Sequence, residues 1–95
     1  MRLLGRRELL DFSRRHADCR GAIESWTAEV EKAKWQSTQN IKDRYRTASF
    51  ISGTKVVFNI GGNKYRLYAK LDFTNSIVLV IKVGTHQEYL KWSYD

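Results

Sequence analysis

A histidine and a tyrosine three residues apart stand out chemically, within the string GTHQEY at residues 84–89. Gly84 ends a predicted strand and Thr85 is a residue type that caps helices, so His86 and Tyr89 share one face of a helical turn. A histidine gains and loses a proton near neutral pH, and a tyrosine hydroxyl donates a hydrogen bond. The pair fits proton transfer, although a structural alternative stays open in which His86 caps the structure and Tyr89 packs on the sheet.

Cationic side chains alternate with apolar ones along the strands that precede this string. The polar positions are Lys55, Asn59, Lys64, Arg66, Tyr68, Lys70 and Lys82. Arg66 can form two parallel hydrogen bonds to a phosphate, and Tyr68 offers a ring on which a base can stack. The alternative is that these long side chains only solvate the exposed face of an antiparallel sheet. The scarcity of acidic residues on this face, where Asp72 lies at a turn, favours phosphate binding.

The cations share a face because the second half of the chain is predicted to form a three-stranded antiparallel meander. Apolar and polar residues alternate strictly over residues 64–73, as in a strand with one buried face. The segment 61–63, Gly-Gly-Asn, forms the first turn, and a two-residue loop keeps Phe58 facing Tyr65 or Leu67. A three-residue loop would place Phe58 beside a cation and is rejected.

The last strand of the meander needs a second turn with an odd number of residues, most simply three. Its predicted apolar face consists of Ile77, Leu79, Ile81 and Val83. Asn75 or Ser76 takes the left-handed position in the turn. In this register Tyr68 lies near Lys82 on one side and near Lys55 on the other.

The first half of the chain supplies the elements that cover the apolar face. The predicted elements are a strand over Arg2–Leu4, a helix over Arg6–His16, a break near Ala17 and a helix over Cys19–Trp35. Apolar residues follow steps of four and three along the second helix, the repeat of an antiparallel helix pair, at Cys19, Ile23, Trp26, Val30 and Ala33. Ser37 or Thr38 caps a short helical turn containing Ile41 and Tyr45, and residues 45–51 are extended. The fold class is α+β, with two N-terminal helices packed on one face of a small antiparallel sheet and a short C-terminal helix. The other face of the sheet is expected to be basic and open.

Composition narrows the class of partner. The chain of 95 residues is expected to be one domain, 1–95, and its 17 Lys and Arg against 10 acidic residues favour nucleic acid or an anionic membrane as partner. A basic protein with no polyanionic target is the alternative.

Cys19 alone cannot form a disulfide framework or a cysteine zinc site, and two histidines without a carboxylate cluster argue against a catalytic metal or a cofactor. Without a membrane-spanning run or a signal sequence, a reducing cytoplasm is expected. Packing roles in the fold are predicted for His16, Trp26, Trp35 and Trp92. Trp92 could instead contact a partner.

Three strings together resemble the HigB family of bacterial toxins, within the RelE-like superfamily of type II toxin–antitoxin systems. They are VVFNIGGNKYRL at 56–67, KAKWQS at 32–37 and GTHQEY at 84–89, and the resemblance covers nearly the whole chain. It implies two N-terminal helices packed on a small antiparallel sheet, the RelE-like fold. It also implies a ribosome-dependent mRNA endonuclease, or mRNA interferase, which cleaves translated mRNA by attack of a ribose 2′-OH on the adjacent phosphate. The implied partners are the ribosome, mRNA and a HigA-like helix-turn-helix antitoxin, with operator DNA contacted only through the toxin–antitoxin complex and no membrane.

The resemblance also implies roles for individual residues. Arg66 matches a strand arginine that stabilises the phosphate, His86 matches the histidine of proton transfer, and Tyr89 matches the aromatic residue that follows. Strand position alone adds Lys82 to the catalytic set and assigns Lys55, Asn59, Lys64, Tyr68 and Lys70 to RNA binding. Leu90 departs from the family pattern, in which an acidic residue often follows the tyrosine. Two alternatives stay open, namely a non-catalytic RNA- or ribosome-binding module and a toxin fold that only binds its partner.

Overall fold

The computed structural model describes residues 1–94, which form a five-stranded sheet with the long helices on one face. In chain order the elements are β1 Arg2–Leu4, α1 Arg6–Arg15, a 3₁₀ turn Ala17–Cys19, α2 Arg20–Lys32, α3 Thr38–Arg44, β2 Ser49–Ser52, β3 Lys55–Ile60, β4 Tyr65–Asp72, β5 Ile77–Thr85 and α4 His86–Tyr89. The strand order is β1-β5-β4-β3-β2, with β1 parallel to β5 and the other neighbours antiparallel. The predicted α+β class is therefore confirmed. No helix in this part of the chain has the length and apolarity needed to span a bilayer.

The helical layer follows the predicted pattern with a shorter second helix. Trp26 and Val30 on α2 are 2% exposed or less, and Cys19, at the end of the 3₁₀ turn, is fully buried, as their spacing predicts for one buried side. The helix ends at Lys32 instead of Trp35 because Ala33 takes an extended backbone conformation. Trp35 then turns inward and lies 6.4 Å from the ring of Phe58 in the sheet. The prediction that the helices cover the apolar face is confirmed.

The link between the helices and the sheet differs from the prediction at one end. The Ser37 hydroxyl accepts the Asn40 N–H at 3.4 Å, so Ser37 is the N-cap of α3 as predicted. Tyr45 follows the helix, and the predicted extended segment 45–51 contains a strand only from Ser49 onward. The Tyr45 side chain explains the delay, because its hydroxyl donates to the Glu29 carboxylate and its ring lies against the core.

The first turn of the meander confirms the predicted register. Phe58 lies opposite Leu67 in the β3–β4 pairing. Gly62 and Asn63 have φ values of 63° and 71°, and the Lys64 N–H donates to the Gly61 carbonyl at 3.3 Å. Two central residues with positive φ are what a two-residue hairpin turn of type I′ requires. Phe58 and Leu67 are consequently both buried in the core.

The predicted apolar face of β5 is wrong over its first half. Val78 and Val80 are buried at 0% and 3% exposure, whereas Leu79 is 36% exposed. Asp72 pairs with Ile77, so the second turn has four residues instead of an odd number. A bulge then leaves Ile81 without a partner in the ladder, and from there the alternation changes face.

Beyond the bulge the prediction holds again. Tyr68 lies opposite Lys82, and Val83 packs against the core. Ser76 has a φ of 56°, so the second turn does carry its left-handed residue there. On the other side of β4, however, the partner of Tyr68 is Val57, and Lys55 lies opposite Lys70. The predicted row of Lys55, Tyr68 and Lys82 is therefore wrong at Lys55.

Candidate functional site

The start of α4 is fixed at the end of β5 by a reciprocal cap. The Thr85 hydroxyl accepts the Glu88 N–H at 3.2 Å, and the Glu88 carboxylate accepts the Thr85 N–H at 2.9 Å. The backbone N–H of Thr85 holds the pKa of the Glu88 carboxyl below its usual range. The His86 N–H donates to the Lys64 carbonyl at 3.2 Å, which ties the helix to the beginning of β4. The first residue of α4 is thus set by local sequence and by strand pairing.

Arg66, His86 and Tyr89 meet on the face of the sheet opposite to the long helices. A terminal nitrogen of the Arg66 guanidinium lies 3.1 Å from Nδ1 of His86. The central carbon of this guanidinium lies 5.3 Å from the centre of the Tyr89 ring. The rings of His86 and Tyr89 are 5.9 Å apart, so the two residues share a face as their spacing predicts.

Main-chain carbonyls hold the Arg66 guanidinium in place. Its other terminal nitrogen donates to the Asn63 carbonyl at 2.7 Å and to the Tyr65 carbonyl at 3.1 Å. Because a guanidinium has donors and no acceptor, Nδ1 of His86 is the acceptor in the contact between the two side chains. The proton of the neutral imidazole then lies on Nε2, the nitrogen that faces away from Arg66.

Lys82 belongs to the same surface but reaches the cluster through Trp92. Its ammonium donates to the Ser93 carbonyl at 3.3 Å and lies 6.0 Å from the centre of the Trp92 ring. Trp92 in turn meets the Tyr89 ring edge to face at 5.7 Å. Trp92 thus packs against both the sheet and α4, as predicted for a structural tryptophan.

Residues 92–94, here called the strap, cross the face that was expected to be open. The ammonium of Lys55 donates to the Tyr94 carbonyl at 2.9 Å, and the Tyr94 ring meets the Tyr68 ring edge to face at 5.1 Å. Tyr68 is 1% exposed as a result. The prediction of an uncovered face is therefore wrong at Tyr68, whose ring is closed to an RNA base. Burial beside Tyr89 and Tyr68 raises the pKa of Tyr94.

The remaining predicted RNA-binding residues lie around this cluster without joining it. Asn59 is opposite Arg66 in the ladder, but its amide donates to the Thr47 carbonyl at 3.3 Å. Lys64 is exposed near the β3–β4 turn, 3.8 Å from the Asp18 carboxylate. Lys70 is half-buried in mid-strand. Sequence reasoning also missed the strap, which three aromatic residues within 89–94 could have signalled.

His16 has the structural role predicted for it. Its ring stacks on Phe12 at 4.4 Å and lies 5.6 Å from the Tyr65 ring, on the helical side of the sheet. Nearby, the Tyr65 hydroxyl donates to the Asp18 carboxylate at 2.6 Å. This hydrogen bond raises the pKa of Tyr65 to about 12 and lowers the pKa of Asp18. The contact links the 3₁₀ turn to β4 and leaves the candidate site on the opposite face.

The cluster is open to solvent, because His86 is exposed and Arg66 and Tyr89 are partly exposed. A groove of about 350 Å³ runs between α1 and α2, with Leu9, Leu10 and Ile23 among its lining residues. None of the cluster residues lines it. The exposure of His86 leaves the cluster accessible to a large substrate.

A comparison with protein families finds a matching family. The family described as HigB_toxin, RelE-like toxic component of a toxin–antitoxin system, matches residues 19–92. The match contains Arg66, Lys82, His86, Tyr89 and Trp92, and it leaves β1 and α1 outside. A search of curated proteins gives no match. Because the match covers most of the chain, this protein belongs to the HigB toxin family and is the toxic component of a toxin–antitoxin system, whose counterpart is an antitoxin.

Proposed function

We propose that this toxin is a ribosome-dependent endoribonuclease that cleaves translated mRNA by attack of a ribose 2′-OH on the adjacent phosphate. The contact of Arg66 with His86 and Tyr89 is the observation that carries the proposal. It combines a fixed cation, a proton carrier and a phenol ring on one open surface. These are the groups that a phosphate-ester cleavage needs when the nucleophile belongs to the RNA itself.

Arg66 is assigned the role of stabilising the negative charge that develops in the transition state. The 2′-oxygen bonds to phosphorus as its proton passes to water, and the phosphorane that forms carries extra negative charge on its equatorial oxygens. A positioned guanidinium can bind two of these oxygens. The carbonyls of Asn63 and Tyr65 already orient the group, so little reorganisation is needed during the reaction. Lys82 is a second cation on the same face and adds to this stabilisation.

His86 is assigned the role of donating a proton to the leaving 5′-oxygen. In the free toxin its Nδ1 accepts from Arg66, an arrangement that is available only to an unprotonated Nδ1. A bound phosphate would attract the guanidinium and release Nδ1, which could then hold and deliver a proton. Tyr89 completes the cluster, because its ring borders both side chains and can pack against a base next to the scissile bond.

The ribosome is assigned the positioning of the RNA. The cluster lies on an open surface, and the adjacent Glu88 carboxylate is engaged in the cap of α4. Alignment of the 2′-oxygen with the leaving oxygen therefore has to come largely from outside the toxin, where proximity and orientation can contribute many orders of magnitude in rate. A translating ribosome holds mRNA in a defined geometry, which also places the toxin in the cytoplasm.

The lysines and Asn59 are assigned RNA binding outside the reacting phosphate. Lys55, Lys64 and Lys70 contribute charge along the sheet, which fits a polyanion and gives salt-dependent affinity. Tyr68 is included as the ring that supports Tyr94 and not as a stacking platform. A HigA-like helix-turn-helix antitoxin neutralises the toxin, and contact with operator DNA occurs through that complex. Residues 1–95 act as one domain.

Cleavage of mRNA on programmed ribosomes tests the proposal directly. Wild-type toxin is expected to produce new 5′ ends at fixed positions in the reading frame, and Arg66→Ala and His86→Ala are expected to abolish them. Arg14→Ala is the matched control, because Arg14 is exposed and lines the groove between α1 and α2, on the helical side of the sheet. Full cleavage by both site variants would contradict the assignment of the site.

Two other outcomes distinguish the alternatives. Binding of RNA or ribosomes without any cleavage, weakening as salt rises, would favour a non-catalytic module. Absence of both growth arrest and cleavage, with the antitoxin still bound, would favour a fold kept only for partner binding. Either result would overturn the proposed reaction.

A further inference from the structure

We propose that Trp92 is a positioning residue of the cleavage site, whose indole holds Lys82 and Tyr89 in place relative to Arg66. This role rests on the proposed function. The contacts form a continuous series. Lys82 lies 6.0 Å from the Trp92 ring, Trp92 lies 5.7 Å from Tyr89, and Tyr89 lies 5.3 Å from the Arg66 guanidinium. One indole therefore connects the cation of β5 with the phenol of α4.

The geometry at both ends of the indole is directional. The planes of Trp92 and Tyr89 meet at 88°, an edge-to-face arrangement that favours a particular orientation of the phenol. Lys82 is held from two directions, by the aromatic ring of Trp92 and by the Ser93 carbonyl. A lysine has a long flexible stem, so these contacts restrict where its ammonium lies.

Gly84 provides the space in which the indole sits. A Cβ atom at this position would lie 2.8 Å from Cζ2 of Trp92 and 3.2 Å from Cβ of Glu88. Gly84 is not among the residues with positive φ, so its backbone does not require glycine. A glycine inside a strand often marks a close approach by another group, and here that group is the Trp92 ring. Gly84 also pairs with Arg66 in the ladder, which places the seat of the indole beside the guanidinium.

This arrangement predicts a defect in the chemical step when the indole is lost. Trp92→Ala removes one of the two contacts that hold Lys82 and the edge-to-face contact that orients Tyr89. Misplacement of catalytic groups by about 1 Å can cost up to roughly a hundredfold in rate. Trp92→Phe keeps an aromatic face and edge and is expected to retain most of the activity. Gly84→Ala is expected to reproduce the defect, because the added methyl displaces the indole.

The test is single-turnover cleavage on programmed ribosomes at saturating toxin, for Trp92→Ala, Trp92→Phe, Gly84→Ala and the double variant. Gly84→Ala should cost much less in the Trp92→Ala background than alone, because the methyl group no longer meets an indole. Affinity for the ribosome should be nearly unchanged, so that the loss appears in the rate at saturation. Leu90→Ala, an exposed neighbour at 63% exposure, is the control and should cleave normally.

Several results would overturn the role of Trp92. Wild-type rates for folded Trp92→Ala, or a Gly84→Ala loss that is equally large in both backgrounds, would refute positioning while wild-type cleavage upheld the proposed function. If Trp92→Ala fails to fold, Trp92→Phe and Gly84→Ala still decide the question. If the wild type does not cleave, the proposed function fails, and NMR of the Tyr89 ring and the Lys82 side chain tests the contacts alone. Unchanged resonances in Gly84→Ala would then refute the role.

Discussion

Arg66→Lys tests whether the shape of the cation matters as well as its charge. The guanidinium donates to the carbonyls of Asn63 and Tyr65 with one nitrogen and contacts His86 with another. An ammonium has a single nitrogen at the end of its stem and cannot reproduce this divided geometry. Substitution therefore keeps the positive charge but loses the orientation toward the reacting phosphate.

The expected loss is that of one preorganised electrostatic contact in the transition state. Such contacts are worth roughly 10²–10³ in rate, or about 3–4 kcal/mol. The cost to folding is much smaller, because Arg66 is only half-buried and its partners are exposed or main-chain groups. We expect the free energy of unfolding to change by about 1 kcal/mol or less.

The assay is single-turnover cleavage of mRNA on programmed ribosomes, with toxin in excess. The rate at saturation should fall by roughly two orders of magnitude for Arg66→Lys. Arg14→Lys on α1 should leave it unchanged, because Arg14 is exposed and lines the groove between α1 and α2, where no residue of the cluster lies. A rate for Arg66→Lys within twofold of wild type, in a protein with unchanged thermal stability, would show that charge alone suffices and would refute the geometric argument.

Three further predictions concern the fold that carries the site. Phe58→Ala should lower the free energy of unfolding in urea by about 3–5 kcal/mol, because the fully buried ring is replaced by a cavity; a change below about 1 kcal/mol would contradict the described core. Val80→Asp should prevent folding and Leu79→Asp should be tolerated, as judged by circular dichroism, and the reverse pattern would reject the bulge in β5. The stability difference between wild type and Tyr65→Phe should be full above the ordinary Asp18 pKa of 3.8 and should diminish as pH falls below it, because the folded-state pKa of this carboxyl is lowered. The same difference should also diminish above pH 10, as pH rises toward the folded-state Tyr65 pKa of about 12. A difference in the free energy of unfolding that stays constant across both pH ranges would exclude the hydrogen bond.

The parts of the site that could be predicted from the sequence depend on residues that are close together in the chain. The shared face of His86 and Tyr89 follows from helical spacing, and the cap at Thr85 follows from its residue type before a turn of helix. The register of β3 and β4 follows from the turn at Gly62 and Asn63, because only an even offset keeps apolar residues on one face. Each of these relations involves residues close together in the chain.

The error in β5 has a physical cause that the sequence does not reveal. Residues 77–81 are all apolar, so alternation cannot show which of them face the core. The choice is made by packing, since Val78 and Val80 face the covered side of the sheet while Leu79 points outward. The bulge at Ile81 then restores the predicted side for Lys82. A strand that is apolar on both faces therefore needs tertiary information to fix its orientation.

The strap shows a second limit, because its contacts join residues far apart in sequence. Lys55 and Tyr94 are separated by 39 positions, and no local pattern relates them. An aromatic side chain is more stable packed against another ring than exposed to water. Tyr94 therefore covers Tyr68 where the chain geometry allows it. The expectation of an open basic face considered the charge of the sheet and not the apolar surface between the charges.

The strap orients the cations of this face without cancelling them. An ammonium has three donors, and the Ser93 and Tyr94 carbonyls each accept one hydrogen bond, from Lys82 and Lys55 respectively. A carbonyl carries no formal charge, so both lysines remain cationic and keep donors for a phosphate. The centre of the sheet around Tyr68 is closed, whereas the charges on its two sides stay available. This arrangement is consistent with the proposal, which assigns stacking on this face to Tyr89, beside Arg66, and RNA binding to Lys55.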